Sequence, residues 1–414
     1  MSTLTELAEK ALANAKLLDA YTASQGLPPV SLEKDSLTVA NLPPRLHVIR
    51  NELADTSQLM KRLALGPVGN MVEILYTFTD ILSLQAIVEY NLVAHVPLSG
   101  TTTYAEISKS SNLNESLCRR FLVHAMENGV FLEDAEGKVK HSALSCLLAT
   151  DPEAFAAAGL IVFELAPASG RVLEALQKYP DSGEPNETAY NIQNNTDLSI
   201  YSFLGQNPSR MSRFGMGMQF FSRSGGFHLQ QLIDAYPWSS LDKPGAVMVD
   251  VGGGLGTVSK TLANATKNLR FVVQDLAGPV GIGRETLPEE LKGRVDYEAG
   301  DFFGEQKIVG ADVYFFRWIF HNWSDEYCVK LLRSVASAMR KHSKLMLYEY
   351  VLAEGPELKV SQKFGRNLDM VMMACWNACE RTESQWKKLF KSADERFSFV
   401  GTRKSEGSSM SIVE

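Results

Sequence analysis

Ala246-Val247-Met248-Val249-Asp250-Val251-Gly252-Gly253-Gly254-Leu255-Gly256 is the stretch that decides the fold. An apolar run carrying a single acid ends in a glycine-rich turn, and an Ala- and Leu-bearing helical pattern follows. That order spells a strand, a turn whose backbone can approach a ligand closely, and a helix. Further apolar runs lie downstream at Leu269–Asp275, Ala311–Phe316 and Lys344–Val351, with helix-length segments such as Ser324–Lys341 between them. Near-continuous apolar strands alternating with helices predict an α/β domain, a doubly wound parallel sheet covered on both faces, beginning near residue 236.

Upstream the period changes. Residues 1–95 place apolar side chains at helical spacing, as in Leu4, Leu7, Ala8, Ala11 and again in Met71, Ile74, Leu75, Phe78. Thr103–Lys109 starts a short helix, Glu115–Asn128 forms a second one closed by Gly129, and Val130–Lys140 reads as a hairpin turning at Glu136-Gly137. This is a winged-helix outline. A DNA reader of that shape brings basic side chains to phosphates, but the wing offers Glu133, Asp134 and Glu136, and the second helix only Arg119, Arg120 and His124. A structural, dimerising use is expected instead. The chain divides into a helical and winged-helix part (1–150), a helical connector contributing to the pocket (151–235) and the α/β domain (236–414).

Composition narrows the partners. The 414 residues are 45% apolar, enough for a core in each part, and 41 Lys and Arg against 48 Asp and Glu leave a net charge of −7. No global field therefore draws the chain to nucleic acid or anionic lipid. No uncharged apolar stretch approaches the ~18 residues of a bilayer span, and the first ten residues carry acids where a secretory leader would be basic. Five cysteines, odd in number and set in apolar runs, suit reduced thiols. These features predict a cytoplasmic protein with neither nucleic acid nor membrane as partner. Cys375 and Cys379 are four apart, but no further Cys or His joins them at ligand spacing, so no metal is expected.

The glycine turn departs from the nicotinamide fingerprint, because position 257 is Thr; it gives Asp250-x-Gly252-x-Gly254-x-Gly256 instead. An acid just before the glycines repels a pyrophosphate and suits a ligand with an ammonium group. S-adenosylmethionine has both an ammonium and a sulfonium. Asp275 ends the second strand, where its two oxygens can accept from both ribose hydroxyls. Asp301, in Ala299-Gly300-Asp301-Phe302-Phe303, can accept from the adenine amino group, with Phe302 against the ring. Each acid alone also fits a solvated strand end. Three of them at consecutive strand ends favour the nucleoside.

Arg317-Trp318-Ile319-Phe320-His321-Asn322-Trp323-Ser324-Asp325 follows the next strand and puts His321 at the ligand edge of the sheet. Glu349 lies inside the following apolar run, where a charge is costly without a partner, and Glu380 opens Glu380-Arg381-Thr382. With the glycine turn and Gly300-Asp301-Phe302-Phe303, these motifs resemble the class I S-adenosylmethionine-dependent O-methyltransferases of the caffeic acid and natural-product type, most closely the fungal branch. The resemblance covers nearly the whole chain.

It implies a Rossmann-like methyltransferase domain with an N-terminal winged-helix dimerisation domain, a homodimer, and S-adenosylhomocysteine as product. It also implies His321 as general base flanked by Glu349 and Glu380. Gly252, Gly253 and Gly254 would hold the methionine portion, Asp275 the ribose, and Asp301 and Phe302 the adenine. Arg317, Met218 and Ser222 would be further cofactor contacts. Phe214, Trp318, Asn322, Met372 and Trp376 would line the acceptor pocket, although helix core explains the Phe and Met stripes about as well. Many plant members carry Asp where this chain has Asn322, which bears on acceptor contacts. The expected activity is O-methylation of a phenolic or enolic small molecule in fungal secondary metabolism. The alternative is a cyclase or pericyclase on the same fold.

Overall fold

The computed structural model describes residues 3–36, 42–223 and 225–414. It divides into two compact units. The first comprises Met1–Arg171, Tyr201–Ser222 and Leu358–Ser361, and the second Val172–Ile200, Arg223–Glu357 and Gln362–Glu414. The expected boundaries at 150 and 235 fall elsewhere because the connector is shared. Helix Pro152–Leu160 packs on Ala143–Thr150 and on the long helix of the first unit, whereas Val172–Lys178 packs on Ala189–Asn194.

In the first unit, helices Leu4–Ser24 and Pro44–Glu89 pair, the second interrupted at Gly66 (φ 62°) just before Pro67. The winged-helix outline is present as helices Tyr104–Ser111 and Glu115–Met126, then β1 (Leu132–Glu133) and β2 (Val139–Lys140) paired antiparallel. Thr103 and Asn114 cap the two helices. Helix Pro208–Arg223 is anchored by a buried charge: Glu164, 1% exposed, accepts from Arg210 Nε (2.8 Å) and Arg213 Nη2 (2.6 Å).

The first unit also holds a long apolar helix. By length and composition the helix from Arg45 to Glu89 is apolar enough to cross a membrane, with mean hydropathy 1.4 over a window only 17% buried. Glu73 and Asp80 interrupt the run, so it contains no uncharged stretch of spanning length.

The second unit is the α/β sheet. Its strands are β3 (Val247–Val251), β4 (Arg270–Asp275), β5 (Val295–Ala299), β6 (Val313–Arg317), β7 (Lys344–Glu349), β10 (Thr402–Arg403) and β11 (Ser411–Val413); β8 (Val351–Leu352) and β9 (Arg381–Thr382) form a separate parallel pair. The spatial order is β10-β11-β7-β6-β3-β4-β5. β3 to β7 run parallel, and β11 and β10 add an antiparallel edge that the sequence reading lacks. Those two strands are too short to display a period of two.

Val249, Phe315, Phe316, Met346 and Leu347 are fully buried, and each such side chain stabilises the fold by roughly 1.5–3 kcal/mol. The strand order reverses between β3 and β6. The crevice outside the carboxyl ends of strands at such a reversal is where ligands bind in open α/β sheets.

Candidate active site

His321 sits on a single 3-10 turn, Phe320–Asn322, directly after β6, and is 8% exposed. Its Nδ1 lies 2.7 Å from Glu380 Oε1. Glu349, at the end of β7, is fully buried and does not hydrogen-bond the ring. Its Oε1 instead accepts from the backbone N–H of Ile319 (3.0 Å) and Phe320 (2.9 Å), tying the turn to the sheet. Its influence on His321 is through charge.

Burial pulls the imidazole down, but the charges of Glu380 and Glu349 and the Glu380 hydrogen bond outweigh it, so the pKa lies above the ordinary histidine value. Burial also lifts the Glu349 carboxyl to about 7, against the opposing pull of His321. The second oxygens of both Glu349 and Glu380 are buried with no hydrogen-bond partner among the described residues.

Trp318, which precedes the turn, has φ 55° and stacks on His321 with ring centroids 6.5 Å apart. A left-handed, bulky residue costs about 1–3 kcal/mol and persists only where its surroundings determine it. Here Asn322 Nδ2 donates to the Trp318 carbonyl at 2.8 Å. Asn322 therefore closes the turn from within, a role that the expectation of an acceptor contact did not include. Arg317 lies with its guanidinium 4.2 Å from the Trp318 ring centroid and donates to the Phe227 carbonyl, and burial lowers it to about 10.

The glycine turn after β3 adjoins the turn that carries His321. Gly252, Gly254 and Gly256 have φ 71°, 57° and 75°, the left-handed region that glycine enters freely. A Cβ on Gly252 would lie 2.5 Å from Ile319 Cδ1 and 3.8 Å from Phe302 Cε1. Asp250 does not face a ligand as expected: it is 1% exposed and accepts from Ser259 Oγ at 2.7 Å, beneath Gly253. Its carboxyl is lifted by burial to about 6, so its work is to seat the following helix under the loop.

Asp275 Oδ2 accepts from Gly254 N (2.8 Å) and Oδ1 from Leu276 N (2.7 Å). Each oxygen thus keeps one lone pair for a ligand hydroxyl, and burial raises the carboxyl. Beyond it a cavity of about 230 Å³ is lined by Gln274, Glu298, Asp301, Phe302 and Gln306. Asp301 Oδ1 accepts from Phe303 N at 2.9 Å, leaving its other oxygen available. A backbone cradle, a half-buried acceptor at one strand end, and an acid beside an aromatic wall at the next fit a nucleoside-bearing cofactor.

Met372 and Trp376, 4% and 5% exposed, face inward from helix Val360–Trp376, whereas Met370 is 57% exposed. Phe227 and Phe364, absent from the sequence expectations, form an aromatic row with Trp318. Phe227 lies 5.7 Å from Trp318 and 5.4 Å from Phe364. No motif marks them, because they come from separate segments. Phe214, Met218 and Ser222 belong to the first unit, half-buried at four-residue spacing on helix Pro208–Arg223, and Phe214 packs edge-on against Tyr201 at 5.9 Å.

A sequence model of the O-methyltransferase domain matches residues 182–395, more than half of the chain. The chain belongs to the O-methyltransferase family. It is an S-adenosylmethionine-dependent enzyme of the class I, fungal natural-product type. Chlorophenol O-methyltransferase of Trichoderma longibrachiatum is 33% identical over all of this O-methyltransferase and 90% of the relative. The crystal structure of OxaC in complex with SAH and oxaline superposes with TM-score 0.77 at 19% identity, covering 99% of this chain and 98% of that one. A structure described as a pericyclic reaction enzyme superposes with TM-score 0.74 at 19% identity, over 88% and 93%. At such identities the structural likenesses establish the fold of this O-methyltransferase, not its acceptor.

Proposed function

We propose that His321 removes the proton from a phenolic or enolic hydroxyl of a small natural-product intermediate, so that the resulting oxygen accepts a methyl group. When bound, S-adenosylmethionine supplies that methyl on a positively charged sulfur. The glycine turn, Asp275, Asp301 and Phe302 are the residues that would hold it. The observation that carries the reading is the buried His321–Glu380 pair standing beside the glycine turn, with Ile319 bridging the two.

A phenol of pKa ~10 is mostly protonated at neutral pH, so transfer needs a base at the acceptor oxygen. Because Nδ1 faces the Glu380 carboxylate, that nitrogen carries the hydrogen and Nε2 keeps its lone pair for the acceptor proton. The imidazolium so formed is stabilised by Glu380 and Glu349. Trp318, Met372 and Trp376 supply flat and thioether surfaces suited to an aromatic acceptor.

Incubation with methyl-labelled S-adenosylmethionine and a panel of phenols tests this. Label on acceptor oxygen supports it, and a product isomeric with the acceptor, of unchanged mass, would instead mean rearrangement. We further propose a homodimer acting in the cytoplasm with neither membrane nor nucleic acid as partner. The exposed apolar row Met71, Ile74, Leu75, Phe78 and Leu82 supports association between copies. Equilibrium sedimentation reads the mass.

A further inference from the structure

We propose that Arg381 is a positioning residue for proton removal, holding the turn that carries His321 at a fixed offset from the chain segment, just before β9, that carries Glu380. The proposal rests on the reading of His321 as the base. Glu380 and Arg381 are consecutive where the chain enters β9, and their side chains go to different partners. Glu380 takes the imidazole, and Arg381 takes the backbone around it. Nη1 donates to the Phe320 carbonyl (3.0 Å) and Nη2 to the Trp323 carbonyl (3.0 Å), one residue before His321 and two after it. Asp325 Oδ1 accepts from Nε (2.9 Å) and Nη2 (2.7 Å), and the Cys379 carbonyl from Nη1 (3.3 Å).

The Phe320 residue is thus gripped twice, its N–H by Glu349 and its C=O by Arg381. Arg381 is 1% exposed. A guanidinium so buried is tolerated only where its donors are matched. Its positive charge also opposes protonation of the neighbouring imidazole, working against Glu380 and Glu349. An apolar filler would lack that drawback. What only a planar fork adds is a rigid link between the two carbonyls of the His321 turn and a carboxylate.

The test uses the full chain. Arg381→Lys keeps the charge but cannot span both carbonyls and Asp325, and Arg381→Met fills the space without donors. Turnover is followed against pH, and the His321 ring is titrated by NMR, which needs no acceptor. The charged groups facing that ring are Glu380, Glu349 and Arg381. In Arg381→Lys, S-adenosylhomocysteine affinity and acceptor KM should stay within about 3-fold while kcat falls roughly 10- to 100-fold, as for an ångström-scale misplacement. The His321 midpoint should move to lower pH, because the Glu380 contact loosens while the local charge is retained.

A wild-type kcat and midpoint overturn the proposal. So does a fall in kcat with an unmoved midpoint, the signature of a merely structural role. Should Arg381→Met not fold, Asp325→Asn, at a side chain 72% exposed, is expected to give the same midpoint shift at smaller size, and no shift in either folded variant sinks the idea. Failure of the parent reading looks different: the wild type then transfers no methyl to any acceptor, while the midpoint still moves in Arg381→Lys.

Discussion

The glycine turn after β3 and the base turn after β6 lie side by side at one sheet edge, yet they are built in opposite ways. The first takes its shape from its own residues, three glycines in the left-handed region, braced by Asp250 below and Asp275 beside. The second contains a left-handed Trp318 and is held by side chains from distant segments: Glu349 is 30 positions from Ile319, Glu380 is 59 from His321, and Arg381 is 61 from Phe320. A cradle for a shared cofactor can be encoded locally. A base whose ring must meet a guest at one angle needs support from several elements, because each tie removes a different freedom.

The strongest way to break this comparison is His321→Ala. Loss of the base should lower kcat by about 10²–10⁴-fold, the usual range for general-base removal, with S-adenosylhomocysteine affinity unchanged by calorimetry. Full turnover would remove the base turn from the chemistry and leave only the cradle.

Gly253→Ala attacks the cradle. The added Cβ would stand 2.7 Å from Asp250 Cγ and 2.9 Å from Val273 Cγ1, both buried, so the loop must shift. The expected cost of about 1–3 kcal/mol corresponds to a roughly 5- to 150-fold weaker Kd for S-adenosylhomocysteine. Unaltered affinity by calorimetry would show that the turn does not contact the cofactor.

Glu380→Gln sharpens the electrostatic part. As the proposed base, His321 must be neutral to act, and its pKa is raised in the folded protein, so the rate should climb as pH rises through that elevated value. Removing the carboxylate charge should move this acidic limb to lower pH and reduce the plateau about 10-fold, since the imidazolium loses its partner. A limb that stays in place in the kcat–pH profile would assign it to another group.

The mildest change is Asn322→Asp. A carboxylate cannot donate to the Trp318 carbonyl, so the left-handed residue loses its tie, and destabilisation of about 1–2 kcal/mol should appear as a lowered urea midpoint. Kinetics altered without any loss of stability would return Asn322 to the acceptor-facing role first expected of it.

Much of this was legible in the order of residues. The strand-turn-helix at 246–265, the alternation that follows and the hairpin around Gly137 all appear as local periods and turn signals. The buried acids were legible too, because Glu349 within an apolar run and Glu380 after a long apolar helix both demand partners. The partner of Glu349 was not: the run predicts a need, and the backbone of Ile319 and Phe320 meets it. The place of Asp250 was not legible either, for a related reason. Adjacency to the glycines says nothing about which side of the strand an acid occupies, and the pleat turned it inward to Ser259.

The α/β class, the glycine cradle and the candidate proton-handling groups are written in the order of residues, because composition, period and φ requirements act over a few neighbouring residues. Tertiary structure alone decided that Arg381 grips the base turn from one side and Glu349 from the other, that Asn322 closes it, and that Phe227 and Phe364 form a row with Trp318. Those contacts join segments tens of residues apart, and which of many polar side chains meets which buried carbonyl is settled only when the packed core leaves each donor a single acceptor within reach.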